Sequence, residues 1–301
     1  MAKAIFTTKA DPTYDDLPEE RYHFPRTYLR QVEAARGDWI VYYEPRRPSG
    51  DLSSRGGRQS YFATARVDRI EPDPARHAHF YAFVSEFLEF DRSVPFREGT
   101  RYFEAALERD DGNTNKGAFG RAVRAISEAE YDLILQAGFT QTLGELSQQG
   151  HAGQEPSGLG EEPTSFTRPV VEQIIRRPFR EAAFATRVKD AYENTCAMTG
   201  LKIINGGGRA EVQAAHIRPV AQDGPDSVRN GLALSGTVHW MFDRGLISVD
   251  DDWSILIAKD RLPDTVTRLL REDRRLRPPK PPSLRPHVQF LRYHRKHIFK
   301  G

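Results

Sequence analysis

The sequence predicts an α+β protein in two parts, and three observations carry that prediction. The N-terminal half holds short segments dense in aromatic and β-branched residues, the composition of strands. A polar stretch of Gly, Gln, Ser, Glu and Pro then separates the halves. The C-terminal half reads strand, loop, strand, helix, and it spaces His216, Asn230 and His239 by fourteen and nine residues.

Length and composition set the frame. At 301 residues the chain exceeds one typical domain, and two are expected. Hydrophobic residues make up 38% and charged residues 29%, which suits a globular protein with a polar surface. No apolar run approaches the roughly 18–20 residues of a membrane span. MAKAIFTTKADP lacks the long apolar core of a signal peptide, so a cytoplasmic location is expected. One cysteine, Cys196, excludes an internal disulfide and a multi-cysteine zinc site. The overall charge of +2 conceals an asymmetry. Residues 1–168 carry 21 basic and 27 acidic side chains, whereas residues 169–301 carry 23 and 15. A basic C-terminal half suggests contact with a polyanion, against the plainer reading of ordinary charge fluctuation.

In the first half, YHFPRTYLRQVEAARG begins as a loop with a proline and continues as a short helix. Trp39 to Glu44 follows as a strand, and PSGDLSSRGGRQ as a mobile loop. SYFATARVDRI alternates Tyr61, Ala63, Ala65 and Val67 against Phe62, Thr64, Arg66 and Asp68, the period of a strand. FYAFVSEFLEF suits strand or helix. GRAVRAISEAEYDLILQAG reads as a helix, with Ser127 as N-cap, Glu130 three residues on and Gly138 as the stop. Together these elements make a small, strongly curved sheet or barrel with flanking helices over residues 1–143.

GDWIVYYEPRR, YFATARVDRIEPDP and FLEFDRSVPF resemble the N-terminal domains of bacterial HNH endonucleases. Those domains resemble the PUA-like barrels, a group that includes the EVE, YTH and SRA readers of modified bases. The resemblance covers about residues 5–140 and implies a base flipped out of the duplex and held between aromatic rings. Trp39, Tyr42, Tyr43, Tyr61, Phe62 and Tyr81 are the candidates for that pocket. Strand aromatics more often fill a core, and that is the competing reading for each. Arg46, Arg47, Arg55 and Arg58, in or beside the mobile loop, are candidates to follow DNA phosphates, or are simply solvated.

Residues 144–168 hold almost no apolar side chains and read as a flexible linker, with a second domain over 169–301. His151 lies in it and is given no chemical role. Beyond the linker a helix places Phe184, Val188, Ala191 and Tyr192 on one face. Cys196 and Gly200 mark a turn. KIINGGGRAEVQAAHI reads as two strands joined by Gly206 to Gly208, with His216 ending the second. GLALS is a brief strand and TVHWMFDRG a helix, which sets His239 and Asp243 one turn apart on one face. SVDDDWSILIA closes the pattern with a turn and a strand.

C-x-x-T-G, AAHI-x-P, NG-x-x-L and H-x-x-FD-x-G are together identified with the HNH, or ββα-metal, endonucleases, over about residues 170–300. The resemblance implies hydrolysis of a phosphodiester. His216 would be the general base. Asn230 would hold the loop and orient the His216 ring. His239 would ligate one divalent metal per active site, with Asp243 as the second ligand. Many relatives place Asp or His immediately before the base, and here that residue is Ala215. The metal would then lean on His239, Asp243, water and phosphate, a shell suited to Mg²⁺ or Mn²⁺. Cys196 alone cannot replace the paired cysteines that hold a structural zinc in other members, so none is expected. His294 and His297 read as surface or packing residues. Arg292, Arg295 and Lys296 beside them are candidates to touch DNA phosphates.

The architecture resembles modification-dependent restriction enzymes that cut double-stranded DNA bearing methylated or hydroxymethylated cytosine. Three other readings remain: a sequence- or structure-specific restriction or repair nuclease, a defence toxin whose first half binds a protein, and a DNA-binding module with a silent nuclease fold. A homodimer on DNA is also expected, since cutting both strands takes two active sites or two successive nicks.

Overall fold

The computed structural model describes residues 2–8, 17–45, 57–144, 176–259 and 261–301. The expected linker, from Glu145 onward, and His151 lie outside the described residues. The chain divides into two compact units, Met1–Ala183 and Phe184–Gly301, and the fold is mixed α+β.

The first unit is organised by one six-stranded sheet. Its strands are β1 (Lys3–Thr7), β2 (Arg21–Pro25), β3 (Trp39–Glu44), β4 (Ser60–Pro72), β5 (His79–Pro95) and β8 (Val123–Ile126). Their order is β2-β5-β4-β3-β1-β8. β1 and β3 run parallel and the other neighbours antiparallel. β6 (Arg97–Glu98) and β7 (Arg101–Tyr102) form a separate small ribbon. The register between β4 and β5 slips three times, between Tyr61 and Ala63, Thr64 and Arg66, and Val67 and Arg69. Extra residues on one strand bend it and increase its twist, so two long strands curl.

Both faces of this sheet are covered, which explains why Trp39 to Tyr43 is an unbroken apolar run. Trp39, Val41 and Tyr43 join Ile5, Leu88 and Phe90 in one core cluster, with Tyr131, Ile134 and Leu135 of α3 (Glu128–Gly138). Ile40 and Tyr42 join Phe6, Phe24 and Phe62 in the other, with Val32 of α1 (Leu29–Ala34). α2 (Lys116–Phe119) is a single turn. α3 begins as its sequence predicts: the Ser127 side chain accepts from the Glu130 N–H, and the Glu130 carboxylate accepts from the Ser127 N–H.

FYAFVSEFLEF, for which the sequence allows strand or helix, is strand throughout, within β5. Two elements depart from the sequence reading. The proline segment before α1 is strand β2, an edge position where Pro25 withholds no needed donor. GRAVRAI is not the first turn of a helix but holds β8, whose Arg124 is fixed by a buried carboxylate. Arg124 Nε and Nη2 donate to Glu104 Oε2 and Oε1, each at 2.7 Å, and Tyr61 Oη donates to Glu104 Oε1 at 2.6 Å.

The second unit opens with the last turns of α4 (Arg177–Ala191). Its elements are β9 (Gln213–His216), β10 (Gly231–Leu234), α5 (Gly236–Asp243), β11 (Ile247–Val249), β12 (Ile255–Ile257), α6 (Asp264–Thr267) and α7 (Val288–His297). β9 pairs antiparallel with β10, and β11 with β12. The strand expected before the glycines reduces to a single bridge, Ile204 to Ala210. Among the described residues no helix is long and apolar enough to cross a membrane.

α7 is tied to α5 by a buried histidine. His294 stacks on Phe242 at 3.8 Å, with Nδ1 2.8 Å from Ser248 Oγ and Nε2 3.1 Å from the Phe242 carbonyl. Burial pushes its pKa down to about 4. A folded-state value below the unfolded 6.5 means full stability above pH 6.5 and loss as pH falls toward 4. That stretch amounts to about 3 kcal/mol. Urea unfolding of the wild type should therefore lose more stability between pH 7 and pH 4.5 than a His294→Gln variant does. Equal losses would assign the effect to other groups.

Candidate active site

The two motif histidines sit on neighbouring elements, since α5 packs on β9. His216 ends β9, opposite Gly231 of β10. Its ring lies flat on Phe184 of α4, with centroids 3.8 Å apart and planes 12° from parallel. Nε2 is 2.9 Å from Oδ1 of Asp226, whose side chain is 2% exposed. The carboxylate accepts the Nε2 proton. Nδ1 makes no hydrogen bond to a described residue and is left as the nitrogen able to take a proton.

Asn230 is fully buried and clamps the loop between the two strands. Its Oδ1 accepts from the Arg218 N–H at 2.8 Å, and its amide donates to the carbonyls of Arg218 and Pro225 at 3.0 and 2.9 Å. The side chain is spent on the backbone, and the ring bond expected of it belongs to Asp226 instead. Asn230 thus acts on the base at one remove, by shaping the loop that carries Asp226. Two glycines explain the rest of this motif. A Cβ on Gly231 would lie 2.4 Å from Val188 Cγ2 and 3.2 Å from the Phe184 ring, so glycine lets α4 approach the strand and Phe184 reach His216. A Cβ on Gly224 would lie 1.8 Å from the Arg218 carbonyl oxygen, inside the clamped loop.

His239 and Asp243 lie one turn apart on α5, with Nε2 and Oδ2 separated by 3.3 Å. The other ring nitrogen, Nδ1, is 2.8 Å from Oε1 of Gln213. Ala215 is fully buried and offers no donor. Among the described residues no cluster of three or more His, Cys, Asp or Glu could hold a metal. One imidazole nitrogen beside one carboxylate oxygen fits an ion that keeps most of its shell as water and phosphate.

The remaining candidates separate by burial and pairing. Trp39, Tyr42, Tyr43, Tyr61 and Phe62 are core residues, each at most 7% exposed. They divide between the two core clusters, one on each face of their sheet. Tyr81 is half-buried and stacks on His23 at 4.5 Å. Arg46, Arg47 and Arg55 lie outside the described residues. Arg58 pairs with Glu44 at 2.6 Å and covers the Phe62 ring. Arg292 and Arg295 both bind Asp251, holding its carboxyl below the usual range, and Arg295 also donates to the Val249 carbonyl. Lys296 is exposed. Cys196 is a buried packing thiol that points at Ser235 Oγ. Asp226, Gln213 and Phe184 are the site residues that sequence reasoning missed. Only Phe184 left a trace, as part of the apolar face of α4.

Residues 196–250 match the family model described as HNH endonuclease. No curated protein matches the sequence. Among solved structures, the modification-dependent TagI restriction endonuclease is similar at 14% identity, over 97% of this chain and 81% of that one, with a TM-score of 0.31. The Type IV phosphorothioation-dependent restriction endonuclease ScoMcrA is similar at 15% identity, with a TM-score of 0.21. That alignment covers 98% of this chain and 57% of ScoMcrA, less than two thirds of its length. The family match and the geometry around His216, Asn230 and His239 fall on the same stretch, so residues 196–250 are similar to the HNH endonucleases in both sequence and site.

Proposed function

We propose that the protein is a metal-dependent DNA endonuclease of a restriction system. The observation that carries this reading is the His216 ring, fixed between Asp226 and Phe184 with Nδ1 as its unbonded nitrogen. Nδ1 takes a proton from the attacking water as oxygen adds to phosphorus and the bond to the 3′ oxygen breaks. Asp226 steadies the positive charge that the ring acquires. Asn230 keeps the loop from drifting. His239 and Asp243 would hold a divalent ion, Mg²⁺ or Mn²⁺, which would supply charge neutralisation for phosphodiester hydrolysis. A dimer on DNA would supply the second active site for the other strand.

The finer part of the proposal assigns residues 1–143 to a PUA-like reader of modified cytosine, tethered through 144–168 to the nuclease domain at 169–301. Its support is the resemblance over residues 5–140 together with the strongly bent sheet. A specific observation favours a second reading, in which the first unit reads the sequence or structure of unmodified DNA: five of the six candidate pocket aromatics are core. Digesting methylated, hydroxymethylated and unmodified copies of one plasmid with Mg²⁺ or Mn²⁺ separates the two. The first reading expects the modified copies to be cut and the unmodified copy spared. Equal cutting of all three would move the assignment to the second.

A further inference from the structure

We infer that Gln213 is a positioning residue for this nuclease: it holds the proton of His239 on Nδ1 and so keeps Nε2 free beside Asp243. The inference rests on the proposal that His239 and Asp243 hold a divalent ion.

A neutral imidazole has one N–H, and the partner of one nitrogen decides the state of the other. Gln213 Oε1, 2.8 Å from Nδ1, is an acceptor and draws the proton there. Nε2, left with its lone pair, is 3.3 Å from Asp243 Oδ2. An unprotonated ring nitrogen and a carboxylate oxygen that close together can both donate to one cation. His216 is arranged the opposite way, with Nε2 held by Asp226 and Nδ1 free. The two histidines present different nitrogens because different side chains hold them, which matches a base on one and a ligand on the other.

The strand explains why this falls to residue 213. Alternation puts Gln213 and Ala215 on one face of β9. Position 215 contributes only a buried methyl. Gln213 pairs with Leu234, one residue before the N-cap of α5, while Glu211 accepts the Gly236 N–H at 2.9 Å. Residues 211 to 213 are thereby fixed along the first turn of the helix that bears His239. Partners that orient a ligating histidine typically contribute 10–100-fold in metal affinity.

The test uses the full chain. In metal-free protein at pH 8, long-range ¹H–¹⁵N spectra should show His239, assigned with a His239→Ala variant, protonated on Nδ1. Gln213→Leu should move the proton to Nε2 and weaken Mn²⁺ binding, read by electron paramagnetic resonance, by about 10–100-fold. Gln213→Glu keeps an oxygen acceptor and should keep the wild-type proton position and affinity. A wild-type His239 protonated on Nε2, or a Gln213→Leu variant that binds Mn²⁺ like wild type while His239→Ala does not, overturns the role of Gln213. If His239→Ala also binds Mn²⁺ unchanged, the metal assignment itself is wrong, and the inference falls with it.

Discussion

His216→Ala should lower single-turnover DNA cleavage by about 10²–10⁴-fold, the usual contribution of a general base. Affinity for the same DNA should stay within about twofold, because the ring takes its proton only during reaction and does not anchor the duplex. The variant is expected to fold. The imidazole packs on one ring and one carboxylate, and the strand that carries it is held independently by the Ile217 N–H bond to the Asn230 carbonyl and by pairing with β10. Gel mobility shift and circular dichroism on the same preparation separate the loss of chemistry from loss of fold or binding. Cleavage within about threefold of wild type, with binding intact, would remove His216 as the base. It would leave the silent-fold reading for this chain if the wild type is equally slow.

The parts of the molecule that were legible in the sequence are those encoded by local pattern. Trp39 to Glu44 declared a strand because five of its six residues are apolar and β-prone, and the Ser127–Glu130 box marked the start of α3 to the residue. The nuclease motifs were legible for a similar reason. Each combines a chemical residue with the packing residue beside it: Asn230 with Gly231, His239 with Phe242. β2 was hidden because its pairing partner, β5, lies far along the chain and two prolines bracket the region. β8 was hidden because Val123 to Ile126 runs directly into a strong helix signal. The burial of the candidate aromatics has a three-dimensional reason. Alternating rings of β3 and β4 face opposite sides of the sheet, and both sides are packed. Asp226 and Gln213 were out of reach altogether. One lies in a loop of unremarkable composition and the other opens a strand, and each gains a role only when the fold brings it to a histidine ten or twenty-six residues away.

Asp226→Asn is the sharper experiment, because it changes almost no volume. The wild-type carboxylate can only accept, so the proton of His216 stays on Nε2 and Nδ1 keeps its lone pair. An asparagine that presents its NH₂ group reverses the tautomer and puts a hydrogen where the base should be. One that presents its carbonyl preserves the tautomer but withdraws the charge that stabilises the protonated ring. Either way cleavage should fall, by about 10²–10⁴-fold, as for other histidines deprived of their orienting carboxylate. A structural role for a buried aspartate predicts lower stability as well, so the single variant does not decide the matter. The His216→Ala, Asp226→Asn pair does. If Asp226 acts through His216, the double variant should cleave within about threefold of His216→Ala alone, because the second change removes the support of a group already gone. If the two losses multiply, Asp226 acts on the reaction by another route, and the nitrogen assigned as the base must be reconsidered.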